Sequence, residues 1–486
     1  MFDVEASLSE ARGKFKALID YLLDEGQGDD AYRVEVRIFR ELLAIGLYLV
    51  AAWFMKKLGG NVGKAIVTEA GEELPREALK ARRYITIFGE LVLWRWFYHR
   101  RDGSPGLFPL DQETNLPLST YSYFVQDLLG EDVTGETYDD VLARFEKLFG
   151  FRPPKHTLEA MAPAAAADAD AYYESLGVPP PESEGAIGVM AIDGKGVPMV
   201  KEQPAERKVR LGRGEKLSRK KEAVVTAVYT IAPQPRTADD VLAEVCDKKT
   251  PPERPKPQNK RVRATLAGKE NAITWARDEA RRRDPAGRKS WLCLMDGSVG
   301  LWTLALLLLK GATFILDFFH ASEYLWKAAY VFHPETSPEA QAFVRRYLRM
   351  LLEGKVGYVI GALRQMLTKH GKNLNAVQRK ILLTTINYYE RNRKYMRYDQ
   401  YLAAGYPIGS GAVEGACRHL VKDRMEGSGM RWTVPGAEAV LKIRAVQLNG
   451  DWDPFWQFHM QHEARRRFAG RPWHPLPFSQ RGKAAG

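Results

Sequence analysis

Glu414 stands near the start of residues 407–432, which open on Gly409-Ser410-Gly411, carry Arg418, Lys422, Arg424 and Arg431, and close past Gly427 and Gly429 on Trp432. Val413, Ala416, Cys417, Leu420, Val421 and Arg424 recur at the three-and-four spacing of one buried helical face, with Ser410 as N-cap and the two glycines as the stop. On a neighbouring stripe Glu414, Arg418 and Lys422 follow at four-residue intervals, so a carboxylate near the positive helix end lies in line with two cations. That arrangement suits a metal ion held against a nucleic-acid phosphate. It equally suits a surface helix with ordinary Glu–Arg pairs, so the rest of the chain has to decide.

Three further acids close apolar runs upstream. Residues 186–193 end on Asp193-Gly, residues 290–296 on Asp296-Gly, and residues 312–317 on Asp317, followed by Phe318-Phe319-His320. Each run reads as a buried strand and residues 223–231 as another, with helices at 264–283 and 299–310; this alternation predicts an α/β domain that binds ligands where neighbouring strands end. Asp-Gly after a strand is also a common turn. Two strand-end acids, a later helical acid and a basic chain together favour chemistry over turns. Phosphodiester cleavage or transfer needs an activated oxygen nucleophile and charge relief on the leaving oxygen, which two magnesium ions about 3.5 to 4 Å apart supply. Magnesium takes oxygen ligands and keeps some water, so Asp193, Asp296 and Glu414 suffice as protein ligands. His320 is either a metal or phosphate contact or a structural hydrogen-bonding partner. The chain contains no P-loop, His-Glu-x-x-His pair or Gly-x-Ser-x-Gly elbow.

Composition points the same way. The 486 residues carry 72 Lys and Arg against 60 Asp and Glu, a net charge of +12, and the pI is about 9.3, which favours a polyanionic partner, nucleic acid before anionic membrane. The longest apolar runs, 42–55 and 301–309, fall short of the roughly 18 to 20 residues of a membrane span. With no signal-peptide pattern at the amino terminus, a cytoplasmic location is expected. Cys246, Cys293 and Cys417 are too few and too far apart for a disulfide framework or a cysteine zinc site.

Five regions are expected. Residues 1–80 read as a helical domain, with a long helix over 34–57 ended by Gly59-Gly60. Residues 81–180 hold a hairpin over 84–98, turning at Gly89-Glu90 and ringed by arginines including Arg95, and then a helix-turn-helix-like pair, 138–149 and a second helix from Lys155. A Pro-rich linker at 178–185 precedes a catalytic domain formed by 185–320 and 405–450, interrupted by a helical insertion at 321–404 with helices near 337–353, 356–370 and 374–396. Residues 451–486 form a tail. The basic stretch between Arg207 and Lys221 and the Pro-rich residues 233–262 read as solvated loops able to track phosphates.

These motifs resemble the DDE transposases of bacterial insertion sequences, specifically the ISKra family, related in catalytic core to Mutator-like and hAT transposases. The resemblance rests on Ala191-Ile-Asp193-Gly-Lys-Gly-Val, residues 221–230, Leu294-Met-Asp296-Gly, Leu316-Asp317-Phe-Phe-His320-Ala-Ser-Glu-Tyr-Leu and, most specifically, residues 407–432. It implies an RNase H-like fold carrying a DDE triad, two magnesium or manganese ions, double-stranded transposon-end and target DNA as partners, and a homo-oligomer, at least a dimer on DNA. Asp193 matches the first-strand aspartate, Asp296 the aspartate closing the fourth strand and Glu414 the helical glutamate. Asp317 and His320 match a downstream Asp/Cys-x-x-His string and support the site, with Asp317 the alternative second acid. Arg418, Lys422, Arg424, Arg431 and Trp432 are expected to hold DNA beside the metals, Arg424 otherwise serving as a structural ion-pair partner, and Arg95 and Lys155 to contact DNA from the amino-terminal region. Relatives often carry amino-terminal cysteine zinc modules; this chain has no cysteine before Cys246.

Overall fold

The computed structural model describes residues 2–69, 71–100, 106–200, 220–247, 253–427, 429–468 and 473–475. The basic stretch from Arg207 thus lies mostly outside the described residues. The chain divides into two compact units, 1–174 with 451–486, and 175–450.

In the first unit α1 (Val4–Leu23) and α2 (Ala31–Lys56) pack side by side, each started by an aspartate, Asp3 or Asp30, whose carboxylate accepts a first-turn backbone N–H. The apolar run at 42–55 is only part of α2, which at 26 residues is long and apolar enough to cross a membrane by length and composition; summing isolated apolar runs missed this because the helix continues through charged residues. Strands β1 (Ala65–Thr68), β2 (Glu73–Thr86) and β3 (Gly89–Tyr98) follow. Thr86 pairs with Gly89, so the hairpin turns at Ile87-Phe88, two residues before the expected Gly89-Glu90, and the boundary expected at 80 falls inside β2. After α3 (Pro109–Glu113) come α4 (Tyr123–Gly135), α5 (Tyr138–Phe149), α6 (Lys155–Ala166) and α7 (Ala169–Ser175). Thr137 caps α5 and Gly150, at φ 79°, ends it in the left-handed region that glycine tolerates.

The second unit is mixed α/β. Its five-stranded sheet comprises β4 (Ile187–Pro198), β5 (Lys220–Ile231), β6 (Gln258–Thr265), β7 (Ser290–Met295) and β8 (Thr313–Leu316) in the order β6-β5-β4-β7-β8. The β4–β5 and β5–β6 pairs are antiparallel; β4–β7 and β7–β8 are parallel. Residues 223–230 are buried without alternation, which means both sheet faces are covered. Residues 233–262 are not simply loop. They contain α8 (Ala238–Val245), capped by a reciprocal Thr237–Asp240 box, and the start of the edge strand β6. The charged sequence of β6 hid it, because an edge strand keeps its cations in water.

Helix α9 (Lys269–Arg283) precedes β7, and α10 (Val299–Leu308) joins β7 to β8. The expected insertion is α11 (Phe318–Phe332), α12 (Pro338–Leu352), α13 (Val356–His370), α14 (Ala376–Asn392) and α15 (Tyr398–Ala403), whose apolar faces pack on one another. Tyr388, Tyr398 and Tyr401 of this block donate hydroxyls to the carbonyls of Asp296, Leu316 and Phe314 at 2.7, 2.9 and 3.2 Å, fixing the ends of β7 and β8. The chain then returns through α16 (Gly411–Ala416), a π-helical turn over Cys417–Lys422, α17 (Asp423–Met425) and α18 (Val434–Leu448).

The expected tail over 451–486 opens with a helix, α19 (Trp452–Phe468), that belongs to the first unit: Trp452 donates to Asp127 at 2.8 Å, and His459 and His462 bond Asp168. Trp473–Pro475 form β9, antiparallel to β1.

Candidate metal centre

Register brings the upstream acids together. Ile192 pairs with Met295 and Met295 with Leu316, so Asp193, Asp296 and Asp317 each stand one residue past the last parallel pairing of three neighbouring strands. Asp193 is not at a strand end, as expected, but inside β4, which continues with β5 to Pro198 after β7 has stopped. Gly194 and Gly196 look like turn residues that would end the strand at Asp193, yet both remain in the ladder.

Each acid has its own local hold. Asp193 Oδ1 accepts the N–H of Gly194 at 2.7 Å, and the Cys417 thiol lies 3.3 Å from Oδ2. Asp296 Oδ1 accepts the N–H of Ser298 at 2.8 Å. Asp317 is fully buried and caps α11: Oδ1 accepts the N–H of His320 at 2.8 Å and Oδ2 that of Ser410. That second bond pins the start of α16 to the end of β8. Ser410 is therefore held by Asp317 rather than capping its own helix through its side chain, and its hydroxyl lies 3.3 Å from Glu414 Oε1.

Asp317, buried, His320, half-buried, and Glu414, exposed, offer ligand atoms within 4.8 Å of one another. An ion ligated at about 2.1 Å in octahedral geometry needs adjacent donors about 3 Å apart, so His320 and Glu414 would have to move toward Asp317, whose oxygens are already held by backbone N–H groups. Two carboxylates and an imidazole form a donor set that fits a divalent metal. Asp193 and Asp296 lie outside this group. Asp193 is nevertheless tied to the same helix, since Cys417 sits three residues after Glu414. Burial, and next the charge of Asp193, push the Cys417 thiol well above its usual range, which keeps it a neutral donor. Burial likewise raises the Tyr388 phenol, with Tyr324, Asp296 and Asp317 adding to the shift.

The helix carrying Glu414 differs from a regular one. All six residues of the expected apolar face are buried, but the π turn widens the spacing beyond Ala416, and α17 ends at Met425, before Gly427. Arg418, Lys422 and Arg431 are exposed. Arg424 and Trp432, expected at DNA, are instead buried: the Arg424 guanidinium lies 4.7 Å over the Trp432 ring, and the indole donates to the Met425 carbonyl at 3.1 Å. The pair closes the end of this helix as packing. Arg95 is also buried, paired with Asp111 and lying 4.0 Å over the Phe108 ring, which removes it from any open surface. Lys155 is exposed and bridges to Asp139 at 2.7 Å, joining α6 to α5. The exposed face of α6 beyond it carries His156, Glu159, Ala160, Pro163 and Ala164, few of which can read bases.

Residues that the sequence reading did not single out as functional complete the surroundings. Cys417 was read as core, and Tyr388 and Tyr398 were lost among the many aromatics of the helical block. Only the strand ends they bond to reveal them. No family model matches the chain, and no curated protein matches it.

Proposed function

We propose that this chain is a DDE-type DNA transposase of the insertion-sequence kind, with an RNase H-like catalytic domain that cleaves transposon ends and joins them to target DNA. The observation that carries the reading is the convergence of acids at one sheet edge: Asp193, Asp296 and Asp317 on adjacent strands, met by Glu414 from a helix that returns after a helical insertion. Numbered within the second unit, the strand order is third-second-first-fourth-fifth, with the first three antiparallel and the last two parallel, so Asp193, Asp296 and Asp317 fall on or just past the first, fourth and fifth strands.

Asp193, Asp296 and Glu414 would hold two divalent ions, magnesium or manganese. When bound, such ions supply a low-pKa water or 3′-hydroxyl nucleophile and charge relief at the leaving oxygen. Asp317 has both oxygens engaged by backbone N–H groups, so its part is to position Ser410 and Glu414, with His320 beside it. Asp296 has one oxygen on Ser298, which leaves the other for a cation. Cys417 steadies Asp193 without adding charge. Arg418, Lys422 and Arg431, all exposed along the returning segment, would take DNA phosphates.

Labelled element ends, target DNA and magnesium, incubated with wild-type protein and with Asp193→Asn, test the reading. Joined products lost in the variant are expected; cleavage without joining would make the protein a nuclease of the same fold, and metal-independent binding without cleavage would sink both. Comparison of Asp296→Asn with Asp317→Asn identifies the second acid. Cleavage abolished only by the Asp317 change would transfer that role to Asp317.

A further inference from the structure

Helix α2 packs one side on α1, where Ser7 Oγ donates to the Tyr48 carbonyl at 2.9 Å and the Arg37 guanidinium lies 3.9 Å over the Tyr21 ring. Another side meets the β2–β3 hairpin, where a Cβ on Gly46 would lie 2.4 Å from the Phe88 ring. Between these two sides runs an apolar line in which Phe39, Leu42, Leu49 and Trp53 are 40, 47, 49 and 50 % exposed. Their positions, together with Gly46, step by three and four, giving the 3.5-residue period of a seam between two helices. The Phe88 ring, brought from the hairpin tip, occupies the place of the side chain that Gly46 lacks, so the line is unbroken.

The same period carried one step further reaches Glu35 at one end and Lys56 at the other. Both are exposed, and neither has an ion-pair partner among the described residues. An apolar seam acidic at one end and basic at the other is complementary to itself only when reversed. Two parallel copies would set Glu35 against Glu35 and Lys56 against Lys56. Two antiparallel copies, crossing near Gly46, set Phe39 toward Trp53, Leu42 toward Leu49, and Glu35 within a turn of Lys56 at both ends. This is the self-complementarity of a two-fold interface. A bilayer would reward neither charge, and α1 and the hairpin already pack on the other sides of the helix.

We infer that the exposed seam of α2 is the docking surface for α2 of a second copy of this chain, paired antiparallel, so that the protein dimerises before it meets DNA. The inference does not rest on the catalytic proposal, because self-association without DNA or metal is measured separately from cleavage.

The test measures the mass of the full-length protein by light scattering across concentration, without DNA. Wild-type protein and Asp193→Asn are both expected to dimerise with a Kd of about 1 to 50 µM, the range for a single helix pair of modest area. Leu42→Glu combined with Leu49→Glu, both at exposed positions and checked for an unchanged helical spectrum, should weaken association at least about 100-fold. Glu35→Lys should weaken it about threefold to tenfold, and adding Lys56→Glu should restore it, since the swap rebuilds both end pairs in reverse. A wild-type monomer at about 100 µM, above that Kd, would overturn the inference. So would a dimer unaffected by the seam variants, failure of the charge swap to rescue, or sedimentation of the protein with phosphatidylcholine–phosphatidylglycerol vesicles in a way that Leu42→Glu abolishes.

Discussion

Two groups of carboxylates, one in each unit, are held in opposite ways. In the first, Asp168 is almost wholly buried and gripped by His459 at 2.7 Å, His462 at 2.8 Å and Arg466, while Asp111 is held between Arg82 and Arg95. Each acid is neutralised where it stands. In the second, Asp193, Asp296, Asp317 and Glu414 meet backbone N–H groups, a thiol and a hydroxyl, and no Lys or Arg pairs with any of them among the described residues. Acids arranged to hold a fold bring their own cations; acids gathered without one leave room for a cation from outside. Net charge conceals the contrast, which depends on where the carboxylates end up.

The contrast can be broken most decisively at the catalytic level. Asp193→Asn should lower metal-dependent end cleavage by at least about 1,000-fold, roughly 4 kcal/mol of transition-state stabilisation, with little change in thermal stability. Equal losses of activity and of folding would mean that Asp193 is as structural as Asp168. The next largest effect is at Asp168 itself. Asp168→Ala leaves the buried His459, together with His462 and Arg466, without the acid that binds them and should cost about 3 to 5 kcal/mol in chemical denaturation of the first unit. Burial alone would raise this carboxyl, but hydrogen bonds from His459, Arg466 and His462 outweigh it and hold it well below its ordinary range. A depressed carboxyl contributes stability fully present above the unfolded value of about 3.9 and lost only as pH falls through the folded value. The stability gap between wild type and Asp168→Asn should therefore hold from pH 7 to about 4.5 and close in stronger acid. A gap that closes by pH 6 would contradict the arrangement.

A smaller effect tests the open centre directly. Manganese at about 100 times its Kd should stabilise the protein by about 2.7 kcal/mol, read as a shift in Tm, and the shift should vanish in Glu414→Gln combined with Asp193→Asn. Equal shifts in both proteins would place the metal elsewhere. Smallest of all, Cys417 should be alkylated by iodoacetamide at least about tenfold more slowly than an exposed thiol at pH 7.5, since the thiolate is the reactive form. Asp193→Asn should speed that reaction by removing the charge that helps keep the thiol protonated.

Much of the catalytic unit is visible in its residues. Buried strands are apolar runs closed by Asp-Gly, and the insertion helices carry strong three-and-four periodicity, so β7, α12 and α13 match their expected spans within a residue or two. The six-residue apolar face around Glu414 is equally legible. What stays hidden has identifiable causes. Strand β6 is basic because it lies at an edge, Gly194 and Gly196 imitate a turn inside β4, and α19 returns to the first unit through contacts more than 280 residues away in sequence. No local window holds that information.

By itself the sequence determined which acids and cations the protein owns, the periodicities that bury one side of each element, and the short-range caps such as Asp317 on His320. Only the tertiary structure decided which acids stand side by side, because strand register and not sequence distance aligns Asp193, Asp296 and Asp317. It also decided which cations remain available. Arg424 and Arg95 look like Arg418 and Arg431 in a string of letters, yet packing buries the first two and leaves the other two in water. Burial is a property of the neighbours a side chain acquires, and for these residues most of the neighbours come from other elements of the fold.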